Sequence, residues 1–159
     1  MLSESALSST ETHEIWMHEA LRAAREAESR QEVPIGACIV IGGEVAAVAG
    51  NRTRTDCDPT AHAEILALRA AATVARTHRI AGATLYATVE PCAMCMGGAL
   101  HARIARLVYG CADPKGGAAG TLFDLASDPR LNHRIAVTAG VAEGECRDLL
   151  QAFFRVRRA

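Results

Sequence analysis

The stretch that decides how this chain folds is His62-Ala63-Glu64, which is followed later by Pro91-Cys92-Ala93-Met94-Cys95. One imidazole and two thiols provide three of the four ligands that zinc normally takes in proteins. Structural zinc sites use four protein ligands, whereas catalytic sites use three and leave one coordination position open. With the carboxylate of Glu64 nearby, the pattern predicts a catalytic site for one zinc ion per chain, with His62, Cys92 and Cys95 as the ligands.

Two predicted helices begin at the two halves of this motif. Thr60 is a suitable N-cap for a helix over 61–76, and Pro91 suits the first position of a helix over 91–102. Helix starts that meet at the ends of strands are a common way to build a pocket in α/β proteins. We therefore expect the two halves of the motif to lie side by side.

The spacing within the motif separates the metal ligands from a proton carrier. Cys92 and Cys95 share one helix face in a first turn, where free backbone N–H groups favour thiolates. Glu64 lies two residues from His62, so a regular helix does not stack the two side chains. This indicates a carboxylate that moves protons rather than one that binds the metal. The alternative is a structural zinc site that takes His101 as its fourth ligand.

The remaining segments alternate between strand and helix patterns. They predict a helix over 15–27 capped by Thr12, a hairpin of strands 35–41 and 45–50 joined at Gly42-Gly43, strands over 84–89, 104–109 and 135–138, and a helix over 143–157. This order favours a three-layer α/β/α sandwich with a mixed five-stranded sheet. Residues 1–11 are predicted to be a disordered lead-in, and residues 12–159 a single domain.

Composition limits the classes of function that are open to this chain. It has 159 residues, of which 50% are hydrophobic, and a net charge of −1. That charge excludes a global basic field for indiscriminate nucleic-acid binding, so any RNA contact must rest on a local patch. No apolar run approaches the roughly 20 residues of a membrane span, and the N-terminus lacks the features of a secretory signal. Of the six cysteines, two form one C-x-x-C pair and four are scattered singly, which argues against a disulfide framework. Together with the missing secretory signal, this indicates the reducing cytoplasm, and the missing apolar run indicates no membrane partner.

The order and spacing of the motif match the H-x-E…P-C-x-x-C signature of the zinc nucleobase deaminases. From about residue 13 to residue 158, the chain resembles the bacterial tRNA-specific adenosine deaminases of the cytidine deaminase-like superfamily. The segments that carry this closer resemblance are residues 32–37, 58–64, 117–121, 132–134 and 153–155. The resemblance implies hydrolytic conversion of adenosine to inosine at the wobble position of a tRNA anticodon, with an arginine tRNA as the expected substrate.

The resemblance also implies roles for individual residues. It assigns His62, Cys92 and Cys95 to zinc and Glu64 to proton transfer. The implied substrate contacts are Asn51 as a hydrogen-bond partner of the base, Ile35 and Val89 as apolar walls of its pocket, and Asp113, Lys115, Phe153 and Arg155 as contacts to RNA. A homodimer and the absence of an organic cofactor are implied as well.

Two other functions remain open from the sequence. One is the deamination of a free base or nucleoside, such as guanine or cytosine. The other is a zinc-stabilised RNA-binding module without catalysis, against which Glu64 argues, because such a module has no use for a carboxylate beside an open zinc position. The basic, aromatic C-terminal segment favours RNA over a free base.

Overall fold

The computed structural model describes residues 8–158, so most of the lead-in predicted over residues 1–11 lies outside the described residues. Helices and strands follow each other along the chain much as the sequence predicts. They are α1 (Ser9–Ser29), β1 (Gly36–Ile41), β2 (Glu44–Gly50), α2 (Ala63–Ala75), β3 (Thr84–Val89), α3 (Ala93–His101), β4 (Arg106–Cys111), β5 (Ala136–Ala139) and α4 (Glu143–Arg158).

The five strands form one mixed sheet in the order β2-β1-β3-β4-β5. β1 runs antiparallel to both β2 and β3, whereas β3, β4 and β5 are parallel to one another. Side chains alternate between the two faces of a strand: Leu107 of β4 packs with α2 and α3, and Val108 packs with α1 and α4. The three-layer α/β/α sandwich with a mixed five-stranded sheet is therefore confirmed. Among the described residues, none of the helices has the length and apolarity needed to cross a bilayer.

The hairpin turn lies at Gly42-Gly43, as predicted. Both glycines have positive φ angles, +59° and +79°, which is the backbone that a two-residue hairpin turn of type I′ requires and that glycine adopts without strain. The turn joins β1 to β2 and thereby places Gly50, the last residue of β2, opposite Gly36. The chain then leaves β2 directly at Asn51.

The start of α1 differs from the prediction. The N-cap is Ser8 rather than Thr12, because Ser8 and Glu11 form a capping box. The Glu11 backbone N–H donates to the Ser8 hydroxyl at 3.2 Å, and the Ser8 N–H donates to the Glu11 carboxylate at 2.8 Å. Residues 9–11, predicted as part of the lead-in, are therefore helical.

The helices of the motif begin slightly later than predicted. Thr60 caps no helix, because its N–H and hydroxyl both donate to the Asp58 carboxylate in a turn. The N-cap of α2 is instead His62, and the N-cap of α3 is Cys92, so Pro91 lies just outside its helix. These shifts move His62 and Cys92 from the first helical turn to the N-cap positions, whereas Cys95 stays in the first turn of α3.

Candidate active site

His62, Cys92 and Cys95 converge at the point where α2 and α3 begin. The Nδ1 atom of His62 lies 3.6 Å from the Cys92 sulfur and 3.4 Å from the Cys95 sulfur. Bonds of about 2.1 Å to nitrogen and about 2.3 Å to sulfur, at a tetrahedral angle, place two zinc ligands about 3.6 Å apart. Within residues 8–158, these three are the only group of possible metal ligands whose atoms all lie within 4.8 Å of one another. The spacing fits one zinc ion.

The local folding of the two helices explains why these side chains point toward each other. An N-cap side chain usually turns back to accept a hydrogen bond from its own helix, but neither His62 nor Cys92 does so. Their side chains are left free to meet across the gap between the helices. The positive ends of both helix dipoles also point into this corner, where they favour negatively charged ligands such as thiolates.

The pKa values of the two neighbouring thiols shift in opposite directions. Hydrogen bonds with Cys95 and with His62 lower the pKa of the Cys92 thiol to about 3. The same Cys92 thiolate, together with burial, raises the pKa of the Cys95 thiol. Two adjacent thiolates repel each other in a partly buried site unless a cation lies between them. A donor set of two thiols and one imidazole therefore matches the chemistry that zinc prefers.

Glu64 lies in the first turn of α2, two residues after His62, and is not one of the three residues in the ligand group. Its side chain is only 4% exposed, and burial raises the pKa of its carboxyl group. Glu64, His62 and Cys92 all line one pocket that opens beside the ligand group. A buried carboxylate in this position can take a proton from a reacting molecule and return it to another atom.

Three of the residues predicted to hold the base line the same pocket. Ile35 and Val89 supply apolar walls, and Asn51 supplies an amide. The Asn51 side-chain nitrogen has one weak contact, at 3.5 Å, with the hydroxyl of Thr53. The amide therefore keeps hydrogen-bonding capacity for a ligand. Asp113, which was predicted as a contact to RNA, also lines the pocket.

The other predicted RNA contacts lie away from the pocket lining. Lys115 is exposed on the loop after β4 but does not line the pocket, and Arg155 lines a separate groove along α4. Phe153 corrects the prediction of an RNA contact: its ring is 4% exposed and covered by Arg157, whose guanidinium carbon lies 3.4 Å from the ring centroid. Phe153 and Cys146, seven residues earlier, are the buried residues of α4, whereas Phe154 is 40% exposed.

His101 does not complete the ligand group. It is the last residue of α3, whereas Cys92 precedes the first. His101 lines a different depression, with Leu100 and Arg103. The alternative of a structural zinc site with His101 as fourth ligand therefore has no support in the geometry.

Two buried glutamates of this region were missed by sequence reasoning. Glu32 is fully buried, and its carboxylate accepts hydrogen bonds from the N–H of Arg54 at 3.1 Å, the N–H of Thr55 at 2.9 Å and the Thr55 hydroxyl at 2.7 Å. It thereby fixes the loop that follows Asn51. Glu90 holds the loop after β4 in a similar way. For Glu90, the sequence signal was a charged residue at the end of an apolar strand, directly before Pro91.

Known proteins resemble this chain over most of its length. The family model for the cytidine and deoxycytidylate deaminase zinc-binding region matches residues 10–111. The tRNA-specific adenosine deaminase of Bacillus subtilis is 47% identical over 145 residues, which cover 91% of this chain and 90% of that protein. A solved structure from a study of A-to-I editing by tRNA:A34 deaminases at the wobble position of transfer RNA has a TM-score of 0.83 and 47% identity, and the match covers 86% of this chain and 99% of the other.

A more distant structural relative acts on a free base. The guanine deaminase from Nitrosomonas europaea superposes with a TM-score of 0.74 and 27% identity, covering 88% of this chain and 83% of the other. The two comparisons share the fold, but identity is 20 percentage points higher for the tRNA deaminase structure (47% against 27%).

Proposed function

Because the chain belongs to the cytidine and deoxycytidylate deaminase zinc-binding family, and within it to the tRNA-specific adenosine deaminases, we propose that it converts adenosine to inosine at the wobble position of a tRNA anticodon. The observation that carries the proposal is the group of His62, Cys92 and Cys95 beside the buried carboxylate of Glu64, at one pocket. An arginine tRNA is the proposed substrate, and the cytoplasm the proposed location.

His62, Cys92 and Cys95 are the residues that would hold one zinc ion. When bound, zinc supplies Lewis acidity, which in catalytic sites brings the pKa of water to about 7. Everything else that the reaction needs must come from the side chains that line the pocket.

We assign proton transfer to Glu64. In the overall reaction, an oxygen from water bonds to the adenine carbon that carries the amino group, and the carbon–nitrogen bond breaks to release ammonia. The Glu64 carboxylate accepts one proton from water and passes it to the ring nitrogen beside the reacting carbon. It then accepts the second proton from the hydroxyl group now on that carbon and delivers it to the leaving amine, while the carbon–oxygen double bond forms. Burial keeps bulk water away from these transfers.

The base would be held by the pocket walls. Asn51 would hydrogen-bond the ring edge, and Ile35 and Val89 would pack against the ring faces. A base can enter only after it has been turned out of its stack, as in single-stranded loops. Lys115, Arg155, Arg157 and Arg158 are exposed cations that would contact the phosphates of the stem-loop.

A homodimer is also part of the proposal. Leu122 and Phe123 are 52% and 59% exposed, and Met94 and Leu131 are each 36% exposed. Exposed apolar side chains of this size, gathered on α3 and the loop over 121–133, are typical of protein interfaces. Sedimentation equilibrium should give twice the chain mass, and the double variant Leu122→Ser, Phe123→Ser should give a lower mass.

The deciding experiment compares ammonia release from several substrates at equal concentration. We expect rapid release from an anticodon stem-loop with adenosine at the wobble position. Release should be slow from the same stem-loop with that adenosine moved by one position, and slow from free adenosine, guanine and cytosine. Faster release from any free base than from the matched stem-loop would replace this proposal with a free-base deaminase.

The proposed phosphate contacts have a separate test. Replacing Arg155, Arg157 and Arg158 together with Ala should weaken stem-loop binding and reduce the dependence of binding on salt by about two units of log–log slope. The control removes the same charge from α1 and its C-cap, through Arg22, Arg25 and Arg30. Equal losses in the two triple variants would show that total charge, not the surface of α4, governs binding.

A further inference from the structure

Glu90 lies between the end of β3 and the ligand Cys92, and it is only 2% exposed. Its carboxylate accepts four hydrogen bonds. The backbone N–H groups of Asp113, Ala119 and Thr121 donate at 3.2, 3.0 and 3.1 Å, and the Thr121 hydroxyl donates the fourth. Every donor belongs to one loop, residues 113–121, which we call the mouth loop.

Gly117 shows how tightly the mouth loop encloses this carboxylate. A Cβ atom added to Gly117 would lie 2.4 to 2.6 Å from the carboxylate atoms of Glu90. The φ angle of Gly117 is not positive, so its backbone is open to other residues. Glycine is therefore required at this position for space rather than for conformation, because the loop wraps around the Glu90 side chain.

Backbone hydrogen bonds tie the same two segments together. The N–H of Glu90 donates to the Cys111 carbonyl at 2.8 Å, and the N–H of Ala118 donates to the Pro91 carbonyl at 2.9 Å. Glu90, Cys92 and Asp113 all line the pocket. Through Asp113, the mouth loop thus forms one wall of the pocket. Glu90, two residues before the proposed zinc ligand Cys92, holds that wall in position.

We propose that Glu90 is a positioning residue, which holds the mouth loop in the place where it contacts the substrate outside the reacting base. The role of this loop toward RNA rests on the proposed function, but the hold of Glu90 on the loop does not. Both carboxylate oxygens are already engaged by donors, so Glu90 has no free lone pair directed at the reaction, unlike Glu64.

The first test measures the loop directly. In Glu90→Gln, the side-chain NH2 group cannot accept the bonds that one carboxylate oxygen now accepts. Whichever oxygen the NH2 group replaces, amide hydrogen exchange should accelerate at least about tenfold at Asp113, which donates to Oε1, or at Ala119 and Thr121, which both donate to Oε2. Exchange in β1 should stay unchanged. Unchanged exchange at all three amides would overturn the proposal, whatever the substrate proves to be.

The second test separates binding from chemistry. Glu90→Gln should raise KM for the anticodon stem-loop about tenfold and change kcat by less than about threefold, with full zinc content. A general structural defect would instead lower the amount of active enzyme, and so reduce apparent kcat at an unchanged KM. That result would overturn the positioning role. Wild-type protein without activity on the stem-loop would refute the proposed function, and the exchange data would still decide the loop.

Gly117 provides a variant that leaves Glu90 intact and serves if Glu90→Gln does not fold. Gly117→Ala should raise KM and loop exchange in the same way, because the new methyl group displaces the carboxylate. Adding Glu90→Asp, whose side chain is shorter, should partly restore both quantities. Gly144→Ala is the matched control, because no atom lies within 4 Å of the added Cβ. Additive effects of Gly117→Ala and Glu90→Asp would contradict direct contact as the mechanism.

Discussion

Glu32 and Glu64 are both buried, with 0% and 4% exposure, yet the pKa values of their carboxyl groups shift in opposite directions. Burial by itself acts to raise the pKa of both carboxyl groups. At Glu32, hydrogen bonds donated by Thr55 and Arg54 outweigh burial, so its pKa falls below the ordinary value of 4.5. At Glu64, burial dominates, and the pKa rises.

The difference fits the two tasks that we propose for glutamate in this protein, fixing a loop at Glu32 and moving protons at Glu64. A carboxylate surrounded by N–H and O–H donors is held ionised and fixed, and it organises a loop. A carboxylate with few donors at the edge of a pocket keeps its capacity to exchange protons. The hydrogen-bond donors around each carboxylate, rather than burial alone, therefore set the direction in which its pKa shifts.

Removing a proposed zinc ligand should have the largest effect, because it should abolish metal binding and activity together. Cys92→Ala leaves one thiol and one imidazole, and metal binding is coupled to folding in sites of this kind. We expect loss of zinc by metal analysis, loss of deaminase activity and a lower Tm, even though the donors around Glu32 are intact. Cys57→Ala, at an exposed cysteine outside the site, should keep its zinc. Full zinc occupancy in Cys92→Ala would reject the ligand assignment.

Glu64→Gln tests the chemical side of the comparison. The amide keeps the shape of the side chain but cannot accept a proton, and positioned acid–base groups contribute typically 10²–10⁴-fold to rate. We expect kcat to fall by about that range or more, with zinc content and Tm close to those of the wild type. Retention of more than about a tenth of the wild-type rate would contradict proton transfer by Glu64. Glu44→Gln, on the exposed hairpin, is the charge-matched control.

Glu32→Gln tests the structural side and should give the reverse pattern. Hydrogen bonds to a charged group contribute about 1.5–3 kcal/mol, so we expect a loss of that order in the free energy of unfolding at pH 7, measured with urea. The kcat per zinc-loaded site should stay within a few-fold of the wild type. A large loss of kcat at unchanged stability would show that Glu32 takes part in the reaction, and would reject its assignment as a purely structural residue.

The stability effect of Glu32 should depend on pH in one direction. The pKa of Glu32 is lower in the folded protein than its ordinary value of 4.5. Its ionised form therefore stabilises the fold above that value, and the contribution is lost as pH falls through the folded pKa. The difference between wild type and Glu32→Gln should be full at neutral pH and shrink below about pH 4.5. A difference that grows in acid would contradict a lowered pKa.

Thr55→Val should have the smallest effect and refines the donor count. The substitution removes the hydroxyl that donates to Glu32 at 2.7 Å, but it keeps the backbone N–H donor and the branched shape. We expect a loss of about 1 kcal/mol in the free energy of unfolding and no change in kcat. Thr77→Val is the control, because the Thr77 hydroxyl makes only exposed contacts with Arg79: it donates to the carbonyl at 3.4 Å and accepts from the N–H at 3.2 Å. Equal losses in both variants would mean that the Glu32 contact adds nothing.

The meeting of His62, Cys92 and Cys95 at two helix starts was predictable from sequence because its information is local and chemical. His62, Cys92 and Cys95 are residue types that few other roles require together, and their spacing on helix starts determines which way they face. The order of strands followed similarly from short β-branched runs and the Gly42-Gly43 turn.

The loop contacts of Glu32 and Glu90 were not predictable for the opposite reason. Their donors lie 22 to 31 residues away along the chain, and most are backbone N–H groups, which every residue except proline carries. Such contacts leave no pattern in the sequence. The predicted N-cap of α1 was wrong because Ser8 and Thr12 are both suitable cap residues. Glu11 decides between them, since it completes a capping box with Ser8.

The division of the sheet into an antiparallel and a parallel half has a consequence for the order of folding. The β1–β2 hairpin pairs neighbouring segments, whereas the parallel pairs β3–β4 and β4–β5 each wait for an intervening connection to be placed. Local contacts form faster than distant ones, so we expect His62, just beyond the hairpin, to be in place before Cys92 and Cys95. On the ribosome, the imidazole emerges first and the thiols later, so capture of the proposed metal ion must wait for α3.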